Sequence, residues 1–401
     1  MQNAYLCKNT SDLDELFQYS NQLISQVDTS FVRYLYHRIN WQNRLLGLIG
    51  PRGVGKTTLI LQYIKNNLNP QETLYVTAED FYFAKNRLME LANDFVKFGG
   101  KYLFIDEIHK YPDWSKELKL IYDYNPNLKI IFTGSSVLDI KKGSSDLSRR
   151  AVVYSMQGLS FREYLNLFHG IETPSYSLQE ILNHRVDVSH LPHLIPLFKE
   201  YLKRGYYPFA KEEDFALKLQ QIVNQTLESD IPTYAVMNIA TGRKLKQMLG
   251  VVAKSVPFKP NMSKIAELLS ISRNNIADYF QYMEEAGMIA QLKSETNGVR
   301  VLGKIDKVYL DNTNLVYCLA SENQNIGNIR ETFFLNQVRV QHQVYSSTKA
   351  DFKVDDIDFE VGGKNKGLKQ ISQSKRGFIV KDDIEQGYLN TIPLWHFGLM
   401  Y

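Results

Sequence analysis

Short apolar runs alternate with amphipathic stretches through the first 170 residues of the chain. Leu45-Leu46-Gly47-Leu48-Ile49 reads as a buried strand, and Thr57 to Ile64 as the helix that follows it. Leu74 to Ala78 then gives a strand, Phe81 to Phe98 a helix, Tyr102 to Ile105 a strand, Trp114 to Tyr124 an amphipathic helix, and Lys129 to Phe132 a strand. Strands alternating with helices predict a parallel sheet covered by helices.

The pattern changes after residue 170. Residues 171 to 250 read as helical, broken at Pro192 and Pro196. Between 262 and 310, Ser263 is expected to cap a helix that turns Ile265, Leu268 and Leu269 inward. Ile271-Ser272 makes a turn, and Arg273 to Glu285 forms a second helix with Ile276, Phe280 and Met283 inward. Gly287 ends it, and Met288 to Leu292 starts a hairpin turning at Asn297-Gly298. That order predicts a helix-turn-helix followed by a wing, with Arg273, Asn274 and Asn275 at the exposed start of the second helix, where a reader of the DNA major groove places side chains. In the last segment Arg330 to Val338 reads as a helix with Glu331 at its start. Ala350 to Val354 and Ile357 to Val361 read as two strands of period-two alternation, and a helix is expected from about Lys366.

Composition narrows the class. A length of 401 residues predicts two or three domains. The hydrophobic share of 44% and charged share of 22% describe an ordinary soluble protein, and the net charge of +4 permits a nucleic-acid partner without arguing for one. Residues 261 to 310 hold six Lys/Arg and six Asp/Glu, so the helix-turn-helix has no net charge to attract phosphates. Cys7 and Cys318 match no metal spacing and point to a reducing compartment. The N-terminus lacks the layout of a signal peptide, and no apolar run reaches the ~18 residues of a membrane helix. The expectation is a cytoplasmic protein without a membrane partner.

The chemistry begins at Gly50-Pro51-Arg52-Gly53-Val54-Gly55-Lys56-Thr57-Thr58, set between the first strand and its helix. Glycines let backbone amides and the helix N-terminus wrap a phosphate. Lys56 is expected on the β- and γ-phosphates of ATP and the Thr57 hydroxyl on Mg²⁺. The third strand ends in Asp106 and Glu107. Asp106 is expected to hold Mg²⁺, and Glu107 to orient and deprotonate the attacking water. Thr133 and Ser135, at the tip of the next strand, are expected beside the γ-phosphate. A strand inserted between the loop strand and the carboxylate strand is the layout of the additional-strand P-loop ATPases.

Asp106 to Trp114, Phe132 to Ser136, Leu147 to Arg150 and Gly158 to Leu165 occur in this order, with Gly205 to Pro208 beyond them. Together they resemble the AAA-superfamily P-loop ATPases of bacteria and archaea that carry a C-terminal domain of unknown function. The resemblance implies that Arg149 or Arg150 acts as an arginine finger toward a nucleotide, in cis or in a neighbouring subunit of a homo-oligomer. His109 and Trp114 are expected to pack rather than react.

In the tail, Glu331, Asp351, Glu360 and Lys364 resemble the carboxylates and lysine of the restriction-endonuclease-like PD-(D/E)xK fold, which implies a second metal site. That pattern has a single residue between Glu and Lys, whereas here Gly362 and Gly363 also separate Val361 from Lys364. The expected organisation is a helical lead at 1–30, an AAA-type P-loop ATPase domain at 31–170, a helical connector at 171–250, a winged helix-turn-helix at 251–320 and a small α/β nuclease-like domain at 325–401. The function expected is ATP binding with Mg²⁺-dependent hydrolysis, coupled to the winged helix and the tail. A nucleotide-dependent DNA- or protein-binding switch with little turnover, and an ATP-gated DNA nuclease, are the alternatives.

Overall fold

The computed structural model describes residues 2–135, 147, 149–188, 191, 193–235, 239–254, 257–295, 305–319, 325–367, 371 and 374–401, leaving out the side chains of residues 2–11, 234, 239 and 240. The chain divides into two units, Met1–Gln157 and Gly158–Tyr401. Among the described residues no helix is long and apolar enough to cross a membrane.

The first unit is built on five parallel strands, β1 (Leu45–Ile49), β2 (Thr73–Thr77), β3 (Tyr102–Asp106), β4 (Lys129–Gly134) and β5 (Val152–Ser155), in the order β2-β3-β4-β1-β5. β4 therefore lies between β1 and β3. Every residue of β1 is buried, which explains its unbroken apolar run. Four helices among the described residues accompany the sheet: α1 (Gln2–Gln26), α2 (Lys56–Asn67), α3 (Leu88–Lys97) and α4 (Trp114–Tyr124). α3 buries Leu88, Leu91, Ala92 and Phe95, the spacing of one helical face. α1 adds Leu13 and Leu16 to the same core, so the N-terminal lead is packed into this unit.

One expected helix is shorter than its pattern. Phe81–Ala84 is a single 3₁₀ turn, because the Asp80 side chain captures the Tyr82 N–H at 2.8 Å. Arg87 is extended, and only then does α3 begin. Phe81 consequently stands 93% exposed.

The second unit opens with helices, including Phe161–His169, Leu194–Arg204, Phe215–Gln225 and Ile239–Lys254. Pro196 does not break the second of these. It sits in the first turn, where no intrahelical N–H bond is lost; Pro192 lies outside the described residues. Helices Met262–Leu269 and Arg273–Glu285 follow, then the antiparallel pair β6 (Ile289–Lys293) and β7 (Ile305–Leu310). Asn261, not Ser263, caps the first of these helices, its side chain accepting from Lys264 N at 3.1 Å. Ile265 and Leu269 face inward one turn apart, while Leu268 falls on the flank and is 65% exposed. The expected turn at Asn297-Gly298 lies outside the described residues.

A second five-stranded sheet completes this unit: β8 (Val344–Ser346), β9 (Phe352–Val354), β10 (Ile357–Gly362), β11 (Gly377–Lys381) and β12 (Thr391–Pro393), ordered β12-β11-β10-β9-β8. β8, β9 and β10 pair antiparallel; β10, β11 and β12 pair parallel. Helix Ile326–Val338 packs on it through Phe334, whose ring centroid is 5.1 Å from Phe352 and 4.8 Å from Phe397. This helix starts at its cap Asn325, so Glu331 is mid-helix rather than at the start. Residues 364–367 are described without a helix, and the rest of the helix expected from about Lys366 falls mostly on residues outside the description.

Candidate functional site

The glycine loop joins the C-terminal end of β1 to α2. Gly53 and Gly55 take φ of 79° and 95°, the left-handed region that glycine enters without penalty. At Gly50 an added Cβ would lie 2.2 Å from the Met156 carbonyl oxygen, so the loop leaves its strand where only glycine fits. Lys56 opens α2 with 5% exposure, and its ammonium donates to the carbonyls of Gly50 and Pro51 at 2.8 and 3.0 Å. Burial pulls the Lys56 ammonium below its ordinary range, while Glu107 and Asp106 hold it up. Arg52 and Gly55 are part-buried, Pro51 and Val54 are buried, and Gly53 and Thr58 are exposed.

β3 brings Asp106 to the loop. Thr57 Oγ1 donates to Asp106 Oδ2 at 2.6 Å, and Tyr75 Oη donates to the same oxygen at 2.8 Å. Asp106 Oδ1 accepts from Thr133 Oγ1 and from Glu107 N at 3.2 Å. Thr133 is fully buried, and its hydroxyl also accepts from Glu107 N at 3.2 Å. The contacts of Thr133 are thus with the carboxylate pair. Glu107 adopts φ of 49°, a left-handed turn at the strand end, and Ser135 Oγ donates to its Oε2 at 2.8 Å. The His109 side chain is buried, with Nδ1 3.4 Å from the same oxygen. Burial works against the charge on Glu107, but Lys56, His109, Ser135 and Arg52 together hold its carboxyl below the usual range. Glu107 is therefore an ionised carboxylate at neutral pH.

Thr57 and Asp106 fit Mg²⁺: a hydroxyl and a carboxylate oxygen adjoin at the loop, and this ion completes its shell with waters and phosphates. Arg33, which the sequence pattern did not single out, is 4% exposed and braces the loop from below. Its guanidinium donates to the carbonyls of Val54 at 2.6 Å and Gln157 at 2.8 Å.

Arg149 and Arg150 are placed elsewhere. They precede β5, whose Val152 pairs with Leu46 near the start of β1, whereas the glycine loop follows Ile49 at the other end. At about 3.3 Å per residue, this puts them roughly 15 Å from the end of the strands that carries the loop. Arg149 is exposed, and Arg150 makes a two-pronged pair with Asp123, each contact 3.1 Å.

In the tail, the Asp351 N–H donates to Phe359 O at 3.1 Å, and Val361 N donates to Asp351 Oδ2 at 3.0 Å. These bonds set Asp351 beside Glu360 of β10. A third group intrudes: Lys307 of β7 puts its ammonium 3.5 Å from Asp351 Oδ1 and 3.8 Å from Glu331 Oε2. Tyr309, two residues on, donates to Glu331 at 2.7 Å. Lys364 is exposed; the lysine that reaches Glu360 is Lys366, at 2.5 Å, because the Gly362-Gly363 turn delays the side chain. Burial, with Asp351 adding to it, pushes the Glu331 carboxyl up to about 7. Among the described residues no three His, Cys, Asp or Glu side chains gather as a metal ion requires. The tail cluster, neutralised by two lysines, does not fit an ion.

Residues 42–165 match the family model of an AAA domain, and residues 195–325 match that of a domain of unknown function, DUF8612. Two uncharacterized proteins of Methanocaldococcus jannaschii are similar to the chain. MJ1637 is 27% identical over 273 residues, 63% of this chain and 57% of that protein. MJ1544 is 23% identical over 420 residues, 90% of this chain and 89% of that protein. The chain thus spans little more than half the length of MJ1637. Among solved structures, C. elegans PCH-2 shares 15% identity over 69% of this chain and 66% of that one, with a TM-score of 0.26, too slight a likeness to carry an argument. The AAA-domain match, on a five-stranded parallel sheet, supports a P-loop ATPase of AAA type.

Proposed function

We propose that the first unit binds ATP with Mg²⁺ and hydrolyses it. The observation that carries this reading is the convergence of Lys56, Thr57, Asp106 and Glu107 at one end of the sheet, with Ser135 bonded to Glu107. Loop amides and Lys56 hold the β- and γ-phosphates. Thr57 and Asp106 would hold Mg²⁺, which would supply charge neutralisation to the phosphates when bound. Glu107, kept in place by Ser135, takes the proton of a water whose oxygen bonds to the γ-phosphorus, while the bond to the β–γ bridging oxygen breaks and leaves ADP. A base beside the metal ligand favours turnover over a purely binding switch.

Arg149 and Arg150 act, in this reading, on the nucleotide of a neighbouring subunit, since their own loop lies at the other end of the strands. The helix pair Met262–Leu269 and Arg273–Glu285 with β6 and β7 is the output module. Its exposed Arg273, Asn274 and Asn275 are suited to DNA, and the balanced charge of this region is equally suited to a partner protein. A cleaving tail loses its support, because the carboxylates are paired with Lys307 and Lys366. The tail serves instead as a binding domain.

The test is ATP turnover by the pure chain, alone and with single- or double-stranded DNA, beside Lys56→Ala. Turnover that Lys56→Ala abolishes supports the reading, and stimulation by DNA identifies the output as nucleic acid. A wild-type chain without nucleotide binding overturns it.

A further inference from the structure

We propose that Tyr75 is a positioning residue for the metal-binding carboxylate: its phenol fixes Asp106 Oδ2 in the orientation in which Asp106 and Thr57 together meet a nucleotide-bound Mg²⁺. This inference rests on the ATPase reading above and adds to it a residue from β2, outside the loop and the carboxylate strand.

Tyr75 lies on β2, two residues before Thr77, which is the register partner of Asp106. Alternation along a strand puts positions 75 and 77 on one face, so a side chain as long as tyrosine reaches along β2 to the carboxylate. Oη arrives 2.8 Å from Oδ2, the oxygen that Thr57 also contacts at 2.6 Å. The other oxygen is held by Thr133 and by the Glu107 N–H. Each oxygen of Asp106 thus has two donors. An ion held by Thr57 and Asp106 would take up lone pairs that now join those two side chains. Of the donors to Oδ2, only Tyr75 can then keep its bond, because the phenol comes from the strand on the far side of Asp106 and is no ligand itself.

The phenol is well anchored for this task. Tyr75 is 3% exposed. β2 is the edge of the sheet, and there the Tyr75 N–H donates to Ser20 Oγ of α1 at 3.1 Å. The N-terminal helix therefore fixes the backbone from which the phenol projects. Outer groups that orient a metal ligand typically change metal affinity or activity about 10–100-fold when removed.

The experiment compares full-length wild type with Tyr75→Phe, which keeps the ring and its packing and removes only the hydroxyl. Two quantities are read: the affinity for a fluorescent ATP analogue in excess EDTA, and the Mg²⁺ concentration giving half-maximal turnover. The inference predicts an unchanged Mg²⁺-free affinity and a Mg²⁺ requirement raised about tenfold or more. A Mg²⁺ requirement equal to wild type overturns the assignment of Tyr75 and leaves the ATPase reading intact. So does a loss of Mg²⁺-free affinity, since the phenol would then support the loop rather than Asp106. A wild type that binds no nucleotide brings down the ATPase reading and this inference together.

Discussion

Thr57 Oγ1 and Asp106 Oδ2 stand 2.6 Å apart although 49 positions separate them in the chain. The contact ties the start of α2 to the end of β3 across the intervening β4, whose Thr133 fills the gap between the two strands that carry the chemistry. Three side chains, from two strands and one helix, thereby share a single carboxylate. Substitutions around Asp106 are accordingly expected to affect Mg²⁺ use before they affect nucleotide affinity, while those in the loop do the reverse.

Gly50→Ala tests the loop's departure from β1. The added Cβ meets the Met156 carbonyl at 2.2 Å, a backbone atom that cannot swing away. We expect loss of nucleotide binding in a calorimetric titration and a stability loss of about 2 kcal/mol or more in a denaturant melt. Wild-type affinity would show that the loop and the end of β5 separate freely.

The arginine pair gives a prediction about assembly. Mixing Lys56→Ala chains with Arg150→Ala chains should restore part of the ATPase activity that each lacks, because one supplies an intact loop and the other an intact arginine. A monomer with full activity, by sedimentation and turnover assay, contradicts this.

Glu331 gives a pH dependence with a definite sign. Its carboxyl is raised by burial, and next by Asp351, from 4.5 to about 7. Below about pH 4.5 both folded and unfolded chains hold the proton. Between 4.5 and 7 only the folded chain holds it, so stability falls as pH rises through that window and stays lower above it. Glu331→Gln should therefore stabilise the second unit at pH 8, by roughly 1–3 kcal/mol, and have little effect at pH 4. Denaturant midpoints at the two pH values check this; equal effects at both would contradict it.

Much of the first unit was legible because its signals are local. The apolar run of β1, the glycine loop and the Asp106-Glu107 strand end each declare themselves within ten residues. What escaped notice depends on register. Tyr75 reaches Asp106 only because β2 pairs with β3 so that Thr77 stands beside Asp106. Arg33 is a lone arginine in sequence, and only the folded loop supplies the carbonyls that it holds. In the second unit the period-two reading set Asp351 and Glu360 on adjacent strands; Asp351 lies just before β9, and its Oδ2 takes the Val361 N–H. Lys307 could not be foreseen beside them, since it comes from β7, outside the segment that carried the nuclease resemblance. Lys364 was misassigned for a local reason: Gly362 and Gly363 shift the turn, and Lys366 arrives at Glu360 instead.

Lys307→Met tests whether that lysine takes the place of an ion. Without its ammonium, Glu331, Asp351 and Glu360 have only Lys366 to balance them. Calorimetry with Mn²⁺ should show uptake by the variant and none by wild type in the absence of nucleotide. Uptake by wild type, lost in Asp351→Ala, would return the tail to the metal-binding class.

The central claim is that Glu107 is the base of an ATPase, and its most direct test is Glu107→Gln. The amide keeps the shape of the side chain and its place beside Ser135 but cannot take a proton. The account predicts unchanged ATP affinity and a turnover lower by roughly 10²-fold or more, the usual scale for a general base. Turnover at the wild-type rate would contradict it.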